Sequence, residues 1–445
     1  MRSGLTRETQ TGDRAGCVRV ALCVALCSAC ATSEPTRARE RAVLALPRDP
    51  PPRDPLAIDT LLAEQRSIRS RLHREDASSL YAARTDGTHS LSSTEWPVFA
   101  RVYFALASCA LAELATDGPA KRALLDDATR ALVAALEPRR LRWIHEHFGD
   151  PLVDPRATPS VVVHGTVLYA IERCGPALSD DTRLASAAAT LRAAFVRAFE
   201  GRPDGLLPSY RAMTWVTDSV PALAALALHA RRANEPEPLA WNRWKNTVQT
   251  HMIEPRTGLV VAPFNSAAQR AMGPPRGSAL LMAVPYLAAI DEPFARAQWR
   301  QLESHLLVSI GDLSGAREFP RGMELRPDAD SGRVVLGMGE SASGFAILAA
   351  ASMGELVTAE RLARSAWAAS GAVIAGDRVD CPELPTVGHA IILAGKSLLV
   401  LRRTALAHGA HGASSTGSPQ RSTRLRSRSS ARAQYSPSSM RSSNV

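Results

Sequence analysis

Between residues 57 and 404, apolar positions recur at three- and four-residue spacing, the period of helices rather than strands. The spacing predicts twelve helices, near 57–74, 93–116, 119–136, 160–173, 180–199, 218–232, 237–251, 277–290, 292–308, 341–354, 357–373 and 386–404. The first presents Ile58, Leu61, Leu62, Ile68 and Leu72 on one face after Asp54-Pro55, a cap followed by a proline. The second opens on Ser92 and Glu95, spaced as a capping box, and stops at Asp117-Gly118. Val161-Val162-Val163 and Val334-Val335-Leu336 read equally well as short strands.

The helices fall into two alternating kinds. Every second one is apolar nearly all round, as in VYFALASCALAELA, VPALAALALHA and SALLMAVPYLAAI. Those between carry a charged face, as in AKRALLDDATRALVAAL and EPFARAQWRQLESHLL. A helix apolar on every side must be surrounded by protein, whereas a charged face borders water. Six of each in alternation predict an all-α fold, an inner ring inside an outer ring, or (α/α)6 toroid, with minor β-hairpin content in its long loops. Connections from an apolar helix to the next charged one are about 1 to 6 residues, and the reverse ones about 12 to 32. One face of the ring is therefore trimmed tight. The other carries the long loops and the N-terminal ends of the apolar helices, whose dipoles make it electropositive.

Composition refines this at the ends. The 445 residues are 45% hydrophobic and 22% charged, which excludes wholesale disorder, and carry a net charge of +10. Residues 1–42 contribute +3 and residues 404–445 contribute +6, leaving about +1 between them, so no specific nucleic-acid partner is expected. Arg2, Arg7, Arg14 and Arg19 precede an uncharged run from Val20 to Ser33, the layout of a signal peptide over 1–31. Ala29-Cys30-Ala31 fits an ordinary signal-peptidase site. Ser28-Ala29-Cys30 equally resembles a lipobox that would acylate Cys30, making the lipid anchor the one expected membrane contact. Residues 32–55 read as a Pro/Arg-rich linker, 56–406 as the toroid and 407–445 as a disordered Ser/Arg-rich tail. Export to the periplasm or a membrane-anchored lipoprotein follows. Cys109, Cys174 and Cys381 remain in the folded part, where the first two read as small core residues and no disulfide framework is expected.

Candidate chemistry gathers at the long-loop face. Asp218 follows Tyr210, Met213 and Trp215 into an apolar helix, where a desolvated carboxyl can serve as general acid, or else simply cap the helix. Glu95 and Glu340 lie at other apolar-helix starts and are the candidate partners in an acid/base pair. Arg276, Arg317 and Arg321 offer planar forks for an anionic group, with Asp330 in the same long loop. His164 and His389 stand near helix starts as candidate bases or donors, and Trp96, Tyr210 and Trp215 as a stacking platform. Three patterns are set aside. Gly337-x-Gly339-x-x-Ala342 lacks a surrounding βαβ unit, Asp328-x-Asp330 lacks the rest of a calcium loop, and His145-Glu146-His147 lacks the spacing of a zinc helix. No cofactor or metal is expected.

The alternation resembles the six-hairpin toroid superfamily, which includes glycosidases, polysaccharide lyases and linalool dehydratase/isomerase-like enzymes. Four stretches most resemble uncharacterised bacterial proteins of the last type: Glu95-Trp96-Pro97, Thr217-Asp218-Ser219, Pro275-Arg276-Gly277-Ser278, and Arg317 to Gly322 leading to Asp330-Ser331-Gly332. The resemblance implies an acid/base enzyme of the carbon–oxygen lyase or dehydratase-isomerase kind, acting on a small organic molecule in a central pocket. The superfamily equally implies a glycosidase or polysaccharide lyase with a saccharide ligand, and a non-catalytic ligand-binding lipoprotein is the remaining alternative. Linalool dehydratase/isomerase uses active-site cysteines, and the segment from Tyr210 to Pro221 has none.

Overall fold

The computed structural model describes residues 53–77, 95–178, 180–210, 213–265, 270–327 and 330–414. The signal segment with Cys30, most of the linker, Ser92, Asp328 and the tail beyond residue 414 lie outside the described residues. Among those described, thirteen α-helices dominate. The charged set is α1 (Ile58–Ala77), α3 (Gly118–Ala135), α6 (Thr182–Glu200), α8 (Leu239–His251), α10 (Glu292–His305) and α12 (Leu356–Ala369). The apolar set is α2 (Trp96–Leu114), α5 (His164–Cys174), α7 (Ser219–Ala233), α9 (Gly277–Ile290), α11 (Glu340–Met353) and α13 (Thr386–Ser414). From Ala405 onward the chain forms a separate unit, of which the last turns of α13 are described.

The apolar helices pack side by side in sequence order, α2 on α5, α5 on α7, α7 on α9 and α9 on α11. The next contact needs a glycine, because a Cβ on Gly395 of α13 would lie 2.8 Å from the Leu348 amide nitrogen of α11. The ring closes through α1, where buried Glu64 pairs with Lys396 and His389 of α13 while Gln65 donates to Asp127 of α3 at 2.9 Å. Across the middle, the hydroxyls of Tyr103 on α2 and Tyr286 on α9 are 3.1 Å apart and close the hub at that level. The architecture is the all-α (α/α)6 toroid.

Three helices of the charged set start on a side-chain cap, whereas α8 and α12 do not. Asp117, Asp181 and Asp291 cap α3, α6 and α10 through backbone amides in the tight turns. The first turns of α2, α5, α7, α9 and α11 have no side-chain cap, leaving their amide ends toward the long-loop face.

The loops hold more structure than the periodicity reveals. Residues expected as loop form α4 (Pro138–Phe148), which opens on proline and buries Leu141 and Ile144. The helix expected to reach residue 308 ends at His305, and β4 (Leu307–Ile310) pairs with β5 (Leu313–Ala316). Before them come β1 (Thr214–Trp215), β2 (Pro263–Asn265) and β3 (Arg270–Ala271); after them, β6 (Val334–Val335) with β7 (Met338–Gly339) and β8 (Val373–Ala375) with β9 (Arg378–Asp380). Val161–Val163 form a turn rather than a strand.

The cysteine expectation is corrected. Cys109 and Cys174 form a disulfide, Cα atoms 5.8 Å apart, that joins α2 to the end of α5. Both stand toward the ends of neighbouring parallel inner helices, so the ring itself brings them together. Cross-linking positions 65 residues apart restricts the unfolded chain. Cys109→Ser, or reduction with dithiothreitol, is expected to lower stability by about 2–4 kcal/mol in urea denaturation. An unmoved midpoint would refute that role.

Candidate active site

The N-terminal ends of five inner helices converge on one cavity. Its wall includes Glu95 and Trp96 at the start of α2, Thr166 of α5, Asp218 before α7, Arg276 before α9 and Phe345 of α11. Tyr210, Trp215 and Asp330 reach it from the long loops, and Phe99, Met282 and Pro221 supply apolar surface. The open volume is ≈ 50 Å³, room for a reacting group rather than a whole large ligand.

Glu95 stands one step before α2 and ends in the cavity. Its backbone carbonyl receives the first helical amides, but its side chain makes no cap bond and instead accepts the Tyr210 hydroxyl at 2.5 Å. Burial, together with the charges of Asp330 and Asp218, holds its carboxyl well above the ordinary range, outweighing the Tyr210 bond. Asp218 closes a 3₁₀ turn, Val216–Asp218, that delivers the chain into α7, and it makes no capping bond either. It is partly buried on the cavity wall. Burial pushes its pKa up to about 7; Asp330 adds to the rise, while a hydrogen bond from Ser209 and the charge of Arg276 oppose it. Tyr210 is driven far above the phenol range, first by burial and then by Glu95 and Asp218, so it remains a donor.

Arg276 is placed by its neighbours. Its Nε donates to Glu318 Oε1 at 2.6 Å and its Nη2 to Ser331 Oγ at 3.1 Å. Its guanidinium carbon lies 5.3 Å from the centre of the Trp215 ring. Ser278 donates to the same Glu318 oxygen at 2.7 Å. The run Pro275-Arg276-Gly277-Ser278 follows from this packing, since a Cβ on Gly277 would stand 2.1 Å from the Arg317 carbonyl oxygen. Only glycine lets α9 begin against the segment after β5 that carries Glu318.

Seven expected residues therefore share the cavity: Glu95, Trp96, Tyr210, Trp215, Asp218, Arg276 and Asp330. Five do not line it. Glu340 turns away to Arg333, 3.4 Å from its Nε, on the wall of a neighbouring apolar cavity. His164 is fully buried and accepts the Ser160 amide at 3.0 Å; burial and His145, stacked on it, push its pKa down to about 3. His389 belongs to the Glu64 cluster in the ring closure. Arg317 runs in the strand region beside Gly337, and Arg321 is exposed. Sequence reasoning missed Ser209; Glu318, one of the charges of the long loop that suit a salt-bridge network or a clamp, pairs with Arg276. Among the described residues no cluster of metal-binding side chains occurs.

No protein-family model matches the chain, and no curated protein does. Among solved structures it is similar to an unsaturated glucuronyl hydrolase specific for heparin, at 12% identity and a TM-score of 0.48, over 79% of this chain and 99% of that one. It is also similar to a glycosidase at 14% identity and a TM-score of 0.44, over 77% and 98%. A third similar structure is an inactive variant of an alpha-1,6-mannanase of Salegentibacter sp. in complex with alpha-1,6-mannotriose, at 9% identity and a TM-score of 0.43, over 76% and 99%. These are likenesses in the course of the chain around the ring.

Proposed function

We propose that the chain is an exported acid/base enzyme that cleaves a carbon–oxygen bond of glycosidic kind, with the reacting group of a saccharide-like substrate held between Glu95 and Asp218. One observation carries the reading. Two carboxyls with raised pKa values, Glu95 and Asp218, line one aromatic-walled cavity together with Asp330 and Arg276. Glu95, kept protonated, gives its proton to the departing oxygen. Asp218, ionised above about pH 7, takes a proton from the attacking water, whose oxygen forms the new bond to carbon. Exchange with solvent restores both groups. Trp96 and Trp215 offer faces to a ring, and Arg276 supplies positive charge beside it. The glycosidic version is favoured over the dehydratase-isomerase one because carboxyls, and no cysteine, line the cavity among the described residues.

The Cys109–Cys174 disulfide supports the exported part, since such bonds persist outside the reducing cytosol. Cys30 would then serve either as the acylated anchor or within an ordinary cleavage site.

The test is a panel of aryl glycosides and oligosaccharides, uronate-containing ones included, assayed across pH. Turnover is expected to rise with pH through about 7 as Asp218 ionises, and to fall at higher pH as Glu95 loses its proton. Thermal stabilisation by a saccharide that is never consumed would leave a binding protein instead.

A further inference from the structure

A second cavity adjoins the first at Trp96, which lines both. At ≈ 430 Å³ it is far larger than the ≈ 50 Å³ polar one. It lies between the first turns of α11 and α13 and the inward side of α12, with Leu362, Ile391, Ile392, Val387, Met338 and Val335 on its walls. Three glycines, Gly315, Gly344 and Gly388, help to keep it open. The nearest atoms to a Cβ on Gly344 would be Ile391 and Ile392 at 3.8 and 3.9 Å. On its wall Arg333 pairs with Glu340 and also donates to the Glu383 carbonyl. Apolar walls left without a partner forfeit their dispersion contacts.

We infer that this cavity receives an apolar group attached to the bond broken between Glu95 and Asp218, so that the substrate is an amphiphile: a polar, saccharide-like head bearing an aliphatic or aromatic tail. The inference rests on the function proposed above and names the substrate class of the same site. Three observations carry it. Trp96 is common to both walls, the polar cavity has room for the reacting group alone, and the larger space offers a tail a mostly apolar wall. The 330–333 segment and the start of α11 form the partition, placing Asp330 on the polar side and Arg333 on the apolar side.

The probe is 1-octanol, titrated calorimetrically into the full chain, with 1-butanol as the short-tailed control. Octanol is expected to bind at least ten-fold more tightly than butanol. Ala366→Trp, which fills the α12 wall, is expected to weaken octanol at least ten-fold, and Val387→Phe does the same from the α13 wall if the first variant melts early. Asp218→Asn is expected to bind octanol as the wild type does. Equal binding of both alcohols, or octanol binding unchanged in both filled variants, overturns the inference. A concentration-dependent dimer that these variants break, without octanol binding, assigns the wall to a second copy and overturns it too. Octanol binding that persists while no glycoside is turned over sinks the proposed function alone.

Discussion

Replacing Asp218 by asparagine is expected to lower turnover by about 10²–10⁴-fold while leaving the fold intact. Asparagine keeps the shape and can still meet Ser209, but it cannot take a proton from water. The sign of the stability change is the diagnostic part. Asp218 has its pKa raised to about 7, so the folded state favours the protonated carboxyl. Its contribution is fully present below the unfolded carboxylate pKa and is lost as pH rises through about 7. At about pH 8 the ionised carboxylate sits beside Asp330 in a desolvated wall, and asparagine relieves that cost. The variant should therefore melt no lower than the wild type at that pH, while turning over far more slowly. Loss of activity with gain of stability marks a group held against its own preference, as catalytic carboxyls are. Turnover within two-fold of wild type would remove Asp218 from the chemistry. Activity and stability falling together would reduce it to a structural role.

The ring was legible because its signal is repeated. An inner helix must be apolar on every side, and α2, α7, α9 and α11 announce this over several turns each. The cavity's lining was legible where a residue is fixed by a helix start: Glu95, Asp218 and Arg276 are one step ahead of α2, α7 and α9. Glu340 breaks the rule for a local reason. The β6–β7 hairpin delivers the chain to α11 with Gly339 packed on Glu318, a Cβ there falling 2.9 Å from its Oε2, and the next side chain goes to Arg333. The third carboxyl of the cavity is Asp330 instead, brought by a long loop that has no period to read. The two histidines lie outside the cavity because both are buried in the helix packing, where His164 accepts the Ser160 amide and His389 meets Glu64. The disulfide escaped notice because Cys109 and Cys174 are 65 residues apart, and only the ring puts their helices side by side.

Removing the carboxyl of Glu64 should have the largest effect on stability. Glu64 on α1 is 1% exposed and holds Lys396, also 1% exposed, while its other oxygen is 3.3 Å from His389 Nε2. Lys396 lies 4.8 Å from the Trp367 ring centre, and the Cys381 thiol is alongside His389. Burial alone would raise the Glu64 pKa, but Lys396 and His389 outweigh it and hold the carboxyl low. Burial would likewise lower His389, yet the contacts with Cys381 and Glu64 raise it to about 9. Glu64→Ala leaves a buried ammonium without a counter-charge, an error of about 3–5 kcal/mol. Pairing it with Lys396→Met removes both charges and should recover most of that loss, which a merely steric role for Glu64 would not allow. The pH dependence follows from the same contacts. The Glu64 contribution is lost as pH falls below the usual carboxylate range. The His389 contribution is full below its ordinary pKa of 6.5 and is lost as pH rises through about 9. Wild-type melting temperature should therefore drop between about pH 6.5 and 9, and Glu64→Ala should flatten that drop, because the histidine has lost a partner that raised it. If Glu64→Ala melts within a degree of the wild type, the ring is closed by α1 and α13 packing alone.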